Sequence, residues 1–256
     1  MDYNDAMSRG TGPAQRSGWR RMVEQFARFE YVLSGWDWSR VDRVLDLGCG
    51  TGELAAWMKR TNRGAEYIGV DRRDDAIDEA RRRHPKMRFL NGDLYEVSRG
   101  EGDADLTLAI GTLIDGEVPS GDEDRRRRVR RLVDEALVRS RVGAVVVALN
   151  QNVIDERPEL ALEPALFGIE PDAFVRIVEE AAPPGWSHRV SGNLLGTDLV
   201  GTVWKEGAFE PVDHAELQQR ACQRACDADE VGDLDEAWLW DQVKRAAPAR
   251  PQSSST

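Results

Sequence analysis

The stretch Val44-Leu45-Asp46-Leu47-Gly48-Cys49-Gly50-Thr51-Gly52 decides how the rest of the chain is read. Its first half is apolar except for Asp46, the pattern of a buried strand, which is taken to begin at Val41 and end at Leu47. Glycines at 48, 50 and 52 end the run; without a Cβ the backbone can turn tightly and a ligand can approach it closely. Leu54 to Thr61 then reads as a helix, so the turn presents the unpaired N–H groups of a helix start to any polar group placed there. The spacing sets this turn apart from two other nucleotide-binding turns. The dinucleotide fingerprint needs its third glycine where Glu53 stands, and no Gly-Lys-Ser/Thr follows to make a P-loop.

Working outward, short apolar runs alternate with helical stretches. Tyr67 to Val70, Met87 to Leu90, Leu106 to Ile110 and Val142 to Leu149 read as strands, the last apolar enough to lie centrally in a sheet. Asp74 to Arg83 is predicted as a helix buried through Ala76, Ile77 and Ala80, and Asp122 to Arg141 as a second. Pro171 to Ala182 is predicted as a third, with Pro171 suited to its first turn. His188 to Ser191 and Leu199 to Trp204 read as the last strands. Such alternation predicts an α/β fold of three layers, with a mostly parallel seven-stranded sheet covered by helices on both faces. Ligands are expected beyond the carboxyl ends of the strands.

Three regions follow from this pattern. Residues 1–40 are read as an N-terminal helical cap, with a helix over Trp19 to Leu33 whose apolar face carries Met22, Phe26, Phe29 and Val32. Residues 41–205 hold the α/β domain. Residues 206–256 change character, with 11 acidic residues against 5 basic ones, and read as two short helices followed by a Pro- and Ser-rich end expected to be disordered.

Three segments in order resemble the class I S-adenosylmethionine-dependent methyltransferases, over roughly Trp19 to Lys205. They are Asp46-Leu47-Gly48-Cys49-Gly50-Thr51-Gly52, Tyr67-Ile68-Gly69-Val70-Asp71 and Asn91-Gly92-Asp93-Leu94. The resemblance implies a Rossmann-like fold and S-adenosylmethionine as cofactor, with S-adenosylhomocysteine as product. It implies a cofactor-binding set of Asp46, Gly48, Cys49, Gly50, Gly52, Asp71, Arg72, Asp93, Leu94 and Ile110. In that family the glycine turn wraps the methionine portion, the acid ending the second strand accepts from both ribose hydroxyls, and the Asp93 position faces the adenine amino group. The residue chemistry agrees. Asp71 lies about 20 residues beyond the glycine turn, where a ribose-binding acid belongs. A carboxylate there accepts two hydroxyl protons, each bond contributing about 1.5–3 kcal/mol. Plainer alternatives stand beside these roles: a helix N-cap or turn for Asp71, a turn acid for Asp93, and a turn-stabilising acid for Asp46. Cys49 is read as a small packing residue within the turn, not as a nucleophile.

The implied reaction is in-line transfer of a methyl group from a sulfonium to a nucleophile. The protein must hold the acceptor at near-attack distance and exclude water; a base is needed only if the acceptor arrives protonated. The weak candidates for the acceptor pocket are Thr112, Asp115, Asn150 and Asn152, beyond the fourth and fifth strands. Ala109-Ile110-Gly111-Thr112-Leu113 lacks the Asn/Asp-Pro-Pro-aromatic run of enzymes acting on base or amide amines. No acids stand at these strand ends as metal-dependent catechol enzymes need, so a metal-independent enzyme acting on a small acceptor is expected, with no metal ligands. Ile154 to Ile169 mixes acids with Leu160, Leu162, Leu166 and Phe167 and suits a cover over a small acceptor, or a packed connection. Trp19, Gln25 and Arg28 could cover the cofactor from the N-terminal helix. The alternatives kept are a silent cofactor-binding fold that serves as an interaction module, with Trp238 and Trp240 of the acidic C-terminal extension as candidate contacts, and a methyltransferase acting on protein or RNA.

Composition narrows the partners. A net charge of −11 disfavours nucleic acid. The one basic run, Arg125 to Arg128 with Arg130 and Arg131, shares its helix with an apolar stripe of Val129, Leu132, Val133, Ala136 and Leu137, so most of these arginines are expected on the solvent side. No window reaches the roughly 18 apolar residues of a membrane span. The polar stretch Met1 to Gly18 lacks a signal-peptide core. Three cysteines, Cys49, Cys222 and Cys226, are too few for a disulfide framework. The chain is therefore expected to be cytoplasmic, with no membrane partner and a homodimer as an option.

Overall fold

The computed structural model describes residues 22–97, 103–112, 119–156, 168–192 and 198–212. Helix α1 (Met22–Leu33) and a short 3-10 turn (Trp38–Arg40) precede β1 (Arg43–Leu47), α2 (Glu53–Arg60), β2 (Glu66–Asp71), α3 (Asp74–Arg83) and β3 (Arg88–Asn91). Next come β4 (Ala104–Ile110), α4 (Asp122–Val138), β5 (Ser140–Asn150), α5 (Gln151–Glu156), β6 (Gly168–Ile169), α6 (Pro171–Ala181), β7 (Ser187–Gly192) and β8 (Asp198–Trp204).

The sheet runs β3-β2-β1-β4-β5-β8-β7, with the two-residue β6 paired to the end of β5. All pairings are parallel except those of β8, which runs antiparallel to both β5 and β7. The order reverses at β1, which lies between β2 and β4, and this is the switch point where open α/β sheets bind ligands. The expected seven strands are all present, joined by the short β6.

Alternate residues of the strands feed two cores. On one face Val44, Tyr67, Leu106, Leu108, Val145, Val147 and Val200 pack with α1 and α2. On the other, Leu45, Ile68, Ala144, Val146, Ala148 and Val203 pack with α4 and α6. Within α1, Phe29 and Val32 are buried as expected, whereas the side chains of Met22 and Phe26 lie outside the described set.

Two elements differ from the sequence reading. Helix α4 stops at Val138, because Ser140 already pairs with Ala104 of β4 and extends β5 toward the amino edge. Residues 150–169 are not a plain connection: they begin as α5 and end as β6, where Gly168 donates its N–H to the Gln151 side chain at 3.0 Å. The intervening residues 157–167 lie outside the described set, as does everything from 213 on, including Cys222, Cys226, Trp238 and Trp240.

The arginine-rich helix behaves as its stripe predicts. Val129, Leu132, Val133, Ala136 and Leu137 are buried. The arginines pair with acids of the same helix, Arg125 with Asp122, Arg127 and Arg128 with Asp124, and Arg130 with Asp134. No described helix is long and apolar enough to cross a membrane.

The chain beyond β8 folds back on α1. Asp37 donates its N–H to Ala208 at 3.0 Å and Glu210 to Gly35 at 2.9 Å, while the Trp36 ring lies 5.2 Å from that of Phe209. Trp36 fits there because residue 143 is a glycine: a Cβ at that position would lie 2.2 Å from the indole.

Candidate functional site

The carboxyl edge of β1 turns through Gly48 (φ 77°), Gly50 (φ 54°) and Gly52 (φ 85°), a left-handed run that residues with a Cβ strongly disfavour. The turn is tied to the neighbouring strand. Gly48 and Cys49 donate their N–H groups to Val70 at 2.8 and 2.9 Å, and Gly50 donates to Asp71 Oδ2 at 2.8 Å. The other oxygen, Asp71 Oδ1, accepts from Arg73 N at 2.9 Å. The turn-bracing alternative for Asp71 is therefore real, yet each carboxylate oxygen has a second lone pair for a ligand hydroxyl. Arg72, beside it, is exposed.

Asp46 is 4% exposed and faces the α1–α2 side of the sheet, where it accepts a hydrogen bond from the Tyr67 hydroxyl at 2.7 Å. Burial pushes its carboxyl up to about 7, against the lowering effect of the Tyr67 bond, and the nearby charges of Asp71 and Glu53 push the same way. Burial, and then Asp46, hold the Tyr67 phenol well above its ordinary value. Tyr67 was not anticipated from sequence; the signal was its place on β2 opposite Val44, which puts its ring on the same face as Asp46.

Cys49 is buried, and burial drives its thiol far above the ordinary range, so it carries no thiolate for nucleophilic work. Its sulfur occupies the space that residue 69 leaves by being glycine, since a Cβ there would lie 2.8 Å from Cys49 Sγ and 2.9 Å from the Phe89 ring. Beneath the turn, Thr51 donates to Glu53 at 2.7 Å, and Arg83 pairs with that fully buried carboxylate. This clamp joins the start of α2 to the end of α3.

Asp93 is exposed, and its Oδ1 accepts from Tyr95 N at 2.8 Å, which shapes the turn after β3. Leu94 is half-buried in that turn. Ile110 ends β4 and is buried, and Thr112 beyond it donates its hydroxyl to Leu47 O. Thr112 also fills the space over Gly48, where a Cβ would come within 2.8 Å of its methyl carbon. Asn150 accepts from Asn152 N at 3.1 Å, while Asn152 itself is exposed. Asp115 lies outside the described residues. The structure thus gathers Asp46, the three glycines, Asp71, the Asp93 turn, Ile110, Thr112 and Asn150 along one edge of the sheet.

The donor set suits the implied cofactor. Carboxylates at 46 and 71 offer acceptors to a cationic amine and a vicinal diol, beside a glycine turn that is half-buried at Gly48 and Gly50. The strand order is that of the Rossmann-like methyltransferase fold.

A family model described as "Methyltransferase domain" matches residues 44–133. The fatty-acid O-methyltransferase of Mycolicibacterium smegmatis is 37% identical over 70 residues, which cover 27% of this chain and 26% of that protein. The demethylmenaquinone methyltransferase of Thermus thermophilus is 38% identical over 74 residues, 27% of this chain and 34% of that one. These matches span about a quarter to a third of the curated relatives' length. The plantazolicin methyltransferase BpumL, solved with a monoazolic desmethylPZN analogue and S-adenosylhomocysteine, shares the fold at a TM-score of 0.55 and 13% identity, covering 79% of this chain and 88% of that one. Residues 44–133 are thus similar to a methyltransferase domain, within a chain whose fold is that of the Rossmann-like methyltransferases.

Proposed function

We propose that this chain transfers a methyl group from S-adenosylmethionine to a small-molecule acceptor. The observation that carries the reading is the Asp71 carboxylate at the end of β2, held 2.8 Å from the Gly50 N–H of the glycine turn. This contact ties a carboxylate suited to a diol to the glycine turn, at the switch point of the sheet. When bound, the cofactor supplies a methyl group made electrophilic by its sulfonium.

The chain's own residues do the rest. Asp71 accepts from the ribose hydroxyls while Gly50 and Arg73 fix its orientation. Asp46, once deprotonated, attracts the cofactor's ammonium, and Tyr67 holds that carboxylate in place. Asp93 and Leu94 receive the adenine edge. Thr112, anchored on Leu47, packs over Gly48 and limits where the acceptor can lie. Cys49 and Ile110 shape the apolar part of the wall. A small acceptor accords with the names of the two curated relatives, which act on a fatty acid and on demethylmenaquinone.

Calorimetric titration with S-adenosylmethionine, S-adenosylhomocysteine and NAD tests the reading. Micromolar binding of the first two and none of NAD supports it. A folded protein that binds neither sulfur compound overturns it.

A further inference from the structure

We infer that Gln25 is the residue through which α1 reads the methyl acceptor, its amide oxygen taking a hydrogen bond from an O–H or N–H group of that molecule; the inference rests on the methyl-transfer reading above. Helix α1 packs through Phe29, Val32 and Leu33 on the sheet face that carries Val145 and Val200. Its C-terminal end is at the amino edge, where Trp36 packs over Gly143 near the start of β5. Arg28 is at the carboxyl edge, its Nε 2.5 Å from Oδ2 of Asp198, the first residue of β8, which is in register with Leu149 of β5. Tyr31 adds a second anchor at that edge by donating to Gly192 O, the last residue of β7, at 2.7 Å.

Gln25 stands one turn, about 4.5 Å, further out than Arg28 on the same helix face. This sets Gln25 on the buried face of α1 with Arg28, Phe29 and Val32, beyond Arg28 along the helix. The residue is 5% exposed, and its Oε1 is buried with no hydrogen-bond partner among the described residues. Burying an amide oxygen without a donor costs free energy, and native interiors leave few such groups. Leucine would fill similar space without that cost. A glutamine kept at the ligand end of the sheet is explained if the donor arrives with the ligand.

The chemistry of the surroundings selects the donor. Arg28 and Asp198 are both buried and neutralise one another. The partial negative charge of Gln25 Oε1 repels a carboxylate and attracts a hydroxyl or amine hydrogen. The Arg28–Asp198 pair is a positioning element, which fixes the rotation of α1 and with it the direction of the Gln25 amide.

The test uses the full chain with methyl-labelled S-adenosylmethionine and a panel of flavonoids, catechols, aryl amines, fatty alcohols and fatty acids. The wild type is expected to methylate a hydroxyl or amine member. Gln25→Leu should keep S-adenosylhomocysteine affinity within twofold and Tm at or above the wild type, yet raise the KM of that acceptor at least tenfold. Gln25→Glu, which keeps the accepting oxygens, should stay within a few-fold of wild-type KM. Gln25→Met serves as a second apolar variant if Gln25→Leu does not fold. Unchanged KM in the apolar variant, or methylation confined to the fatty acids, overturns the assignment. A wild type that binds S-adenosylhomocysteine but methylates no panel member also overturns it and leaves the cofactor reading intact. A folded wild type that does not bind S-adenosylhomocysteine removes both.

Discussion

The Tyr67 hydroxyl donates to Asp46 Oδ2 across the β1–β2 pairing, and this bond is what keeps a fully buried carboxyl near neutrality instead of higher. A group that titrates at about 7 at the edge proposed to hold the cofactor should couple proton and ligand. The ammonium of the cofactor favours the carboxylate, so binding releases a proton wherever Asp46 is protonated in the free protein. Affinity for S-adenosylhomocysteine should therefore rise by up to tenfold per pH unit below about 7 and level off above it. Calorimetry in buffers of different ionisation enthalpy reads the released proton directly. Tyr67→Phe removes the lowering interaction and should move the inflection upward; a flat profile in both proteins would sink the coupling.

The same carboxyl predicts the pH dependence of the free protein's stability. Its folded value of about 7 lies above its ordinary 3.8, so between those values the folded state holds more protons than the unfolded one. Its contribution is full below the ordinary value and is lost as pH rises toward 7 and beyond. Urea midpoints of the cofactor-free protein should fall over that window, and Asp46→Asn should flatten the fall.

Asp71 braces the turn and, on the proposed reading, also holds the ligand, so its variants should separate the two roles. Asp71→Ala leaves the Gly50 and Arg73 N–H groups without their acceptor, and should weaken cofactor binding at least tenfold and lower stability by about 1–3 kcal/mol. Asp71→Asn keeps one accepting oxygen and should lose less stability. Cofactor affinity unchanged in the alanine variant would remove Asp71 from the site.

The sequence disclosed most of this fold because the central strands β1, β2, β4, β5 and β8 are largely apolar runs, and such patterning survives without knowledge of contacts. Asp46, Gly48, Gly50, Gly52 and Asp71 were legible for a related reason: turn geometry and strand ends dictate their types locally. Tyr67, the Glu53–Arg83 clamp and the Arg28–Asp198 pair were not, since each joins segments that only the tertiary register brings together. Helix α5 was missed because Gln151 and Asn152 carry no apolar stripe; its start is held by contacts to β6. The residues just past β8 also join the core, which the acidic composition after 206 concealed, as the burial of Ala208 shows.

That packing gives a comparison between two shortened chains. One ending at residue 212 keeps the bonds from Asp37 to Ala208 and from Glu210 to Gly35, and keeps Phe209 against Trp36 and Trp204. One ending at residue 205 loses all of them and opens the aromatic cluster that secures the end of α1. The second should be less stable than the first by on the order of 3 kcal/mol, the scale of removing a buried aromatic side chain. Urea denaturation of the two proteins measures the difference directly. Equal midpoints would mean that α1 is held by the Arg28–Asp198 and Tyr31–Gly192 anchors alone.

Gly69 and Cys49 form a matched pair whose mismatch should be costly. A methyl group at 69 would lie 2.8 Å from the sulfur and 2.9 Å from both Cys49 Cβ and the Phe89 ring, closer than any relaxed contact. Strand β2 is hydrogen-bonded on both sides and cannot move aside, so the glycine turn must yield. Gly69→Ala should thus lower stability by about 1–3 kcal/mol, as overpacked cores do, and weaken S-adenosylhomocysteine binding through the displaced turn. Adding Cys49→Ala removes the sulfur but not the Cβ, so it should restore part of both losses. A double-mutant cycle on melting and on binding gives the coupling; additive effects would show that residues 69 and 49 do not share this space.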